Sequence, residues 1–473
     1  MTDETHAVPP AESEAVASAA ESADGVLGAR FRWTTIGMCA LVLFVAFEAM
    51  AVTTVMPVIA HDLRGASLYT LAFSGSTALS IVGMVVAGAW CDRRGPVPPL
   101  VLGVSLFVLG LAIAGLAPTM PVLVAGRLVQ GFGGGALTVA LYVAVARWYP
   151  ARLHPMVFVG FSTSWVLPSL VGPFVAGVVT EAFGWRWVFL GVIAVALAGV
   201  TMIRRMLVGA GGRRADAAGG AFPVARVLTA VAVAAAVLVL GGTTESDSAW
   251  RWVAVALAGL VLVFAVRPLL PQGALRAASG LPAVMTTRML MSGAELACEV
   301  YVPYLLIHHY RLAPAVAGLA LTGGAVAWSA GSWLQGRFGP RRSDRGWVVL
   351  GAASIAVGVV GTTAAAALGL PAAWIFAVWV FAGLGMGIAL PRLSVLMIGY
   401  STPGTQGFNS SAQAIADAVG GAVGVAVAGI VFVLAGPAGG ALPFAACFAL
   451  GALLAVGALA AARRVGAVPR IAE

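Results

Sequence analysis

Long apolar runs dominate the chain, broken at short intervals by Pro, Gly and charged residues. Cutting the sequence at those breaks predicts helices over 34–60, 68–90, 97–118, 121–147, 156–180 and 187–207. Two more are predicted over 225–242 and 248–267. A last set covers 283–308, 313–334, 346–369, 371–397, 407–435 and 439–462. At about 1.5 Å per residue each is long enough to cross a hydrocarbon core of roughly 30 Å. The alternating short segments of a membrane barrel are missing, and lipid tolerates no other spanning structure. The expectation is an all-α polytopic membrane protein with fourteen transmembrane helices.

Composition and charge sharpen this picture. Hydrophobic residues make up 60% of the chain and charged ones 10%, against about 25% charged in a soluble domain. All 27 basic residues are Arg. Arg64, Arg186, Arg251 and Arg311 fall in loops on one side, while Arg127 and Arg392 fall within or near the ends of spans. The other 21 collect on the opposite side, which the positive-inside rule makes cytoplasmic, together with both termini. The net charge of +9 therefore reads as membrane orientation and not as a nucleic-acid surface. The expected location is the inner (plasma) membrane of the cell. The acidic first thirty residues lack the basic start and apolar core of a signal peptide and read as a disordered tail. Cys39, Cys91, Cys298 and Cys447 lie far apart with no metal-ligand spacing, so free thiols and no metal are expected.

The two outer blocks of six spans echo each other. GAWCDRRGP, residues 88–96, follows the second span, and GSWLQGRFGP, residues 331–340, follows the matching span of the later block with Gln335 in place of Asp92. Gly131, Gly133 and Gly135 of the fourth span return as Gly383, Gly385 and Gly387. Gly172 and Gly177 match Gly424 and Gly429. Duplicated helical bundles facing each other across a cavity are a recurring transporter architecture. The chain divides into a disordered cytoplasmic tail (1–32), an N-terminal six-helix bundle (33–207), a linker with two additional transmembrane helices (208–282), a C-terminal six-helix bundle (283–465) and a cytoplasmic tail (466–473). The additional pair contains no acid and reads as peripheral.

GAWCDRRGP resembles the loop motif of the major facilitator superfamily, with Gly88, Asp92, Arg93 and Gly95 matching while Trp90 and Pro96 depart. GRLVQGFGGGAL resembles that superfamily's fourth-span motif through Arg127, Gln130 and Gly131. PSLVGPFVAG resembles its fifth-span antiporter motif through Gly172, Pro173 and Gly177, with Pro168 and Ala176 departing. Two pseudo-symmetric bundles plus an extra helix pair resemble the fourteen-helix drug:proton antiporter branch. The resemblance implies alternating access, export, and a role for the Asp92 loop as a cytoplasmic gate against the start of the span near residue 407.

Four carboxylates lie within spans: Glu48, Glu295, Glu299 and Asp417. A charge at mid-bilayer costs about 2.5–3.5 kcal/mol on insertion scales, so such residues are candidates for function. Glu48 lies near the middle of the first span and has Arg127 as its candidate partner, a pairing that resembling exporters make between helices one and four. Glu295 and Glu299 share a face one turn apart and read as a second proton site, a cation-binding patch or a local structural network. Asn409, Gln413 and Asp417 recur every four residues along a stripe expected to face the cavity, where Asn409 and Gln413 bond either substrate or neighbouring helices. Tyr142, Phe161 and Trp165 are candidate aromatic walls of a substrate pocket, or core packing. His308 and His309 read as an interfacial polar cap.

With no Lys anywhere, a Walker-type nucleotide site is impossible, so an ion gradient is the expected energy source and no cofactor is expected. No His, Asp or Cys set has the spacing of a metal or nucleophile centre, which argues against an enzyme. The expected function is a proton-coupled exporter of amphipathic or lipophilic compounds, monomeric, with a drug-like or secondary-metabolite substrate. A cell-envelope lipid taken laterally from the membrane is the alternative cargo.

Overall fold

A computed structural model describes residues 25–65, 68–210, 222–243, 250–436 and 440–466. The N-terminal tail as far as residue 24, the stretch 211–221, most of the TTESDSAWR loop and residues 467–473 lie outside the described residues. The described residues form helices and connecting turns, with no strand among them.

The first block comprises α1 (Arg32–Asp62), α2 (Tyr69–Arg94), α3 (Val97–Gly115), α4 (Met120–Trp148), α5 (His154–Phe183) and α6 (Arg186–Ala210). The additional pair is α7 (Val224–Thr243) and α8 (Trp250–Ala265). The second block comprises α9 (Leu281–Glu299), α10 (Tyr301–His308), α11 (Pro314–Phe338), α12 (Asp344–Leu368), α13 (Ala372–Gly399), α14 (Gln406–Leu434) and α15 (Leu442–Ala462). Where one span was predicted over 283–308, the helix is interrupted at Val300 into α9 and α10. Taken as one broken span, these give fourteen helical segments among the described residues, eleven of them long and apolar enough to cross a membrane.

The alternate glycines explain how each bundle closes. Residues two apart on a helix lie about 200° apart, on opposite faces, whereas residues four apart share a face. A side chain at Gly131 or Gly135 would strike the backbone of Ser76 or Ser80 on α2, and one at Gly133 would strike Phe107 and Gly103 on α3. Thus α4 is thin on both faces and lies wedged between α2 and α3. In the second block Gly383 and Gly387 meet the backbone of Gly324 and Trp328 on α11, while Gly385 meets Gly351 on α12. The duplicated glycine spacing is a duplicated packing solution of the small-residue kind that membrane helices use.

The blocks meet along two seams, α2 against α14 and α5 against α11. Within α5, Pro168 and Pro173 each lack an N–H and interrupt the backbone ladder. Of the additional pair α7 is not peripheral, contrary to the sequence reading, whereas α8 packs on α7 and keeps an exposed apolar outer face. Helix α7 packs along α2 and also reaches α14. Its Ala230, Val233, Ala234 and Val237 are buried in the same core cluster as Ile81 and Val85 of α2 and Ile415 of α14. Lack of an acid within the pair goes with burial of α7 against protein as much as with exposure to lipid.

Candidate functional site

The motif loop and the seam between blocks come together at the arginine-rich end. Helix α2 stops at Gly95, whose φ of +80° is a conformation that L side chains rarely adopt. Asp92, three residues earlier, reaches the N-terminus of α14. Gly407 N–H donates to its Oδ1 at 2.6 Å and Phe408 N–H donates to its Oδ2 at 2.9 Å. First-turn N–H groups have no intrahelical acceptor, and Thr405 at the N-cap supplies no side-chain bond to them. Asp92 therefore caps a helix of the opposite block in trans, where the helix dipole favours an anion. The approach needs two glycines: a side chain at Gly88 would meet Gly407 O, and one at Gly407 would meet Gly88 O.

Arg147 completes this junction and was counted in the sequence only as a loop arginine. From the last turn of α4 its Nε donates to Gln406 Oε1 at 3.1 Å, and its Nη2 donates to Pro403 O at 3.1 Å and Cys91 O at 3.2 Å. Nothing local in the sequence marks it, because its acceptors lie 56, 256 and 259 residues away. Arg93 sets its guanidinium against the Phe222 ring, 5.5 Å from the centroid, just before α7.

The later copy of the loop builds no such cap. Gln335 is fully buried, and neither its amide oxygen nor its nitrogen has a partner among the described residues. Beside it, Gly336 faces Met156 and Val159 at the start of α5. That helix follows directly from the 3-10 turn Ala151–Leu153 and carries Pro155 in its first turn. Pro155 offers no N–H, so α5 does not present the paired donors that α14 offers Asp92. Arg392 instead pairs with Asp344 inside the second block, joining α13 to the start of α12.

Deeper in the first block, Glu48 of α1 and Arg127 of α4 form an ion pair, with side chains 7% and 6% exposed. Arg127 Nη1 also donates to Gln130 Oε1 at 2.8 Å, and its Nε donates to Ala72 O at 3.2 Å. The guanidinium thereby ties α1, α2 and α4 together around one buried carboxylate.

The second block holds a counterpart with the roles exchanged. Asp417 of α14 receives Arg288 Nε at 3.1 Å and Nη2 at 3.0 Å, and also the Ser292 hydroxyl. Arg288 was counted among the loop arginines; it is 6% exposed inside α9. The Tyr142 hydroxyl of α4 stands beside its guanidinium, so this pair touches both blocks. Residues 288, 292, 295 and 299 follow four, three and four apart, which places them on one face of α9. Glu295 is buried on that face within Coulombic range of both Glu299 and Asp417. Glu299 ends α9 at the Val300 break.

The expected stripe on α14 divides. Gln413 Nε2 donates to Ser394 Oγ of α13 at 2.8 Å and Asn409 Nδ2 donates at 2.9 Å to Ser401 Oγ in the turn between α13 and α14, while Asp417 faces α9. Tyr142 and Phe161 belong to an aromatic cluster with Phe158, with ring centroids 5.3–6.3 Å apart. Trp165 stands outside that cluster and is 42% exposed. Of the fifth-span motif, Gly172 lies against Met50 and Phe47 of α1, whereas a side chain at Gly177 would meet nothing. His308 stacks edge-on against Tyr304 at 4.3 Å.

Two duplicated bundles, joined at one end by a trans cap and carrying buried ion pairs along their inner helices, define a polytopic membrane transporter. The chain belongs to the major facilitator superfamily, whose family model, described as Major Facilitator Superfamily, matches residues 38–270. It is similar to a probable multidrug-efflux transporter of Mycobacterium tuberculosis, at 28% identity over 440 residues covering 85% of this chain and 88% of that protein. It is also similar to multidrug resistance protein 3 of Bacillus subtilis, at 22% identity, covering 85% of this chain and 79% of that protein. The human organic anion transporter MFSD10 shares the fold at a TM-score of 0.69 and 14% identity, covering 91% of this chain and 99% of that structure.

Proposed function

We propose that this protein is a proton-coupled exporter of amphipathic or lipophilic compounds that works by alternating access in the inner membrane, with both termini cytoplasmic. The observation that carries the reading is the pair of acid–base sites inside the helices, one in each block: Glu48–Arg127, buried on both sides, and Asp417–Arg288, with a buried guanidinium and a half-buried carboxylate. Similarity to a probable multidrug-efflux transporter supports export, and the arginine-rich loops support the orientation.

In this reading the trans cap of Asp92 on α14 closes the cytoplasmic side. Glu48 releases Arg127 when it takes up a proton, because a neutral acid no longer holds a buried guanidinium by charge. Asp417 does the same toward Arg288, with Glu295 and Glu299 offering further proton positions along α9. Protonation in one state and release in the other couples the cycle to the gradient. Tyr142 and Phe161 form the apolar wall nearest the second ion pair. No cofactor takes part, and one chain suffices.

The test is flux of a small panel of cationic and neutral drugs and lipids into proteoliposomes under imposed pH or sodium gradients. The pH gradient is expected to drive uphill flux, and Glu48→Gln to retain downhill exchange while losing that drive. Uphill flux of Glu48→Gln that follows the pH gradient as the wild type does would refute the coupling role of Glu48.

A further inference from the structure

We propose that the additional helix α7 is a working part of the cytoplasmic latch, with Arg226 as its positioning residue. This rests on the alternating-access reading of the Asp92 junction. Three observations converge on it. The Arg226 guanidinium lies 4.4 Å from the centroid of the Phe408 ring, and Phe408 is the residue whose N–H donates to Asp92. The same guanidinium lies within Coulombic range of the Asp92 carboxylate. Helix α7 itself is anchored to the first block, since it packs along α2, and Arg93 of α2 sits over Phe222 at its start.

The geometry makes Arg226 a bridge between blocks. Its backbone travels with α2, while its side chain holds the first turn of α14. A guanidinium over an aromatic face is attracted by the ring quadrupole, so Phe408 is held in the place where its N–H meets Asp92. A cavity of about 380 Å³, lined by Asp92, Arg93, Pro223, Arg226, Leu269 and Phe408 among others, separates the start of α7 from the seam. At the start of α7 the contact with α14 is made by the Arg226 side chain over the Phe408 ring, while further along α7 meets α14 directly in the shared core. The side-chain contact can break and re-form when the seam parts, without unpacking α7 from α2. The extra helix pair would thus bias the transporter toward the state closed at this end.

The experiment measures distances between spin labels on cysteines introduced at Arg94 and Gly404, exposed positions on the two sides of the seam, in the full-length protein. Arg226→Ala is expected to lower the ratio of the short to the long distance population about threefold to tenfold, the range a partly exposed cation–π contact supports. Phe408→Leu keeps the backbone donor and is expected to give a similar fall. Combining the two is expected to add little, because one contact has been removed twice. Fully additive effects, or an unchanged ratio in Arg226→Ala while Asp92→Asn opens the seam, would overturn the role of Arg226 and leave the latch standing. An Asp92→Asn protein with an unchanged ratio would overturn the latch and this proposal together.

Discussion

Replacing Asp92 by Asn tests the trans cap most directly, since the shape of the side chain is kept and the charge removed. In the wild type both carboxylate oxygens accept, from Gly407 N–H at 2.6 Å and Phe408 N–H at 2.9 Å. Asn offers one acceptor, and its NH₂ group turns toward the other donor, so one N–H at the start of α14 loses its partner. A hydrogen bond to a charged group contributes about 1.5–3 kcal/mol. The interaction of the charge with the helix N-terminus adds about 0.3–1 kcal/mol. Asp92 is partly exposed, and water re-solvates the orphaned donor in part, so the expected loss is about 1.5–3 kcal/mol. At 1.4 kcal/mol per tenfold this shifts the ratio of closed to open states by roughly 10- to 150-fold. Substrate binding in detergent and uphill flux in proteoliposomes are measured on the same preparation. Flux is expected to fall at least tenfold, with binding within about threefold of wild type, because only the state equilibrium moves. Loss of binding equal to loss of flux would refute the gate.

The remaining predictions concern the seam glycines and the second ion pair. Gly407→Ala places a methyl against Gly88 O, so the seam is expected to open as in Asp92→Asn without any change of charge, a point the label distances would check. Arg288→Ala leaves the half-buried Asp417, its side chain 37% exposed, without its guanidinium, and water screening holds the loss below the about 3–5 kcal/mol that breaking a fully buried pair costs. Thermal melting in detergent is expected to show a marked loss for Arg288→Ala and a partial recovery for Arg288→Ala with Asp417→Asn. Equal melting of the single and double variants would show that the pair does not act as a unit.

Residue patterns carried much of the fold. Apolar runs and their breaks placed the helices within a few residues, and α4 and α13 announced their two-sided packing through alternate glycines, because close backbone contact admits only glycine on either face. The meeting of Asp92 with the start of the span near residue 407 was an expectation from the resemblance to the superfamily's loop motif, and the repeat added that the later copy carries Gln335 in place of the charge. The interruption at Val300 was missed although Pro303, three residues on, lacks the N–H that would bond the Glu299 carbonyl.

What the chain decides alone is how many apolar segments it has, where charges concentrate and which residues cannot tolerate a neighbour's side chain. These are local properties, fixed by composition over one or two helical turns. Only the tertiary structure decided which charges meet. Arg288 and Arg147 look like any loop arginine until α14 is placed beside them, for the acceptors are supplied by residues 129 and about 260 positions away. The division of the α14 stripe, with Gln413 bonding α13, Asn409 the turn that follows it and Asp417 facing α9, follows from the angle at which three helices cross. The place of α7 against the latch has the same origin. Helix faces are written in sequence, but their partners are chosen by packing.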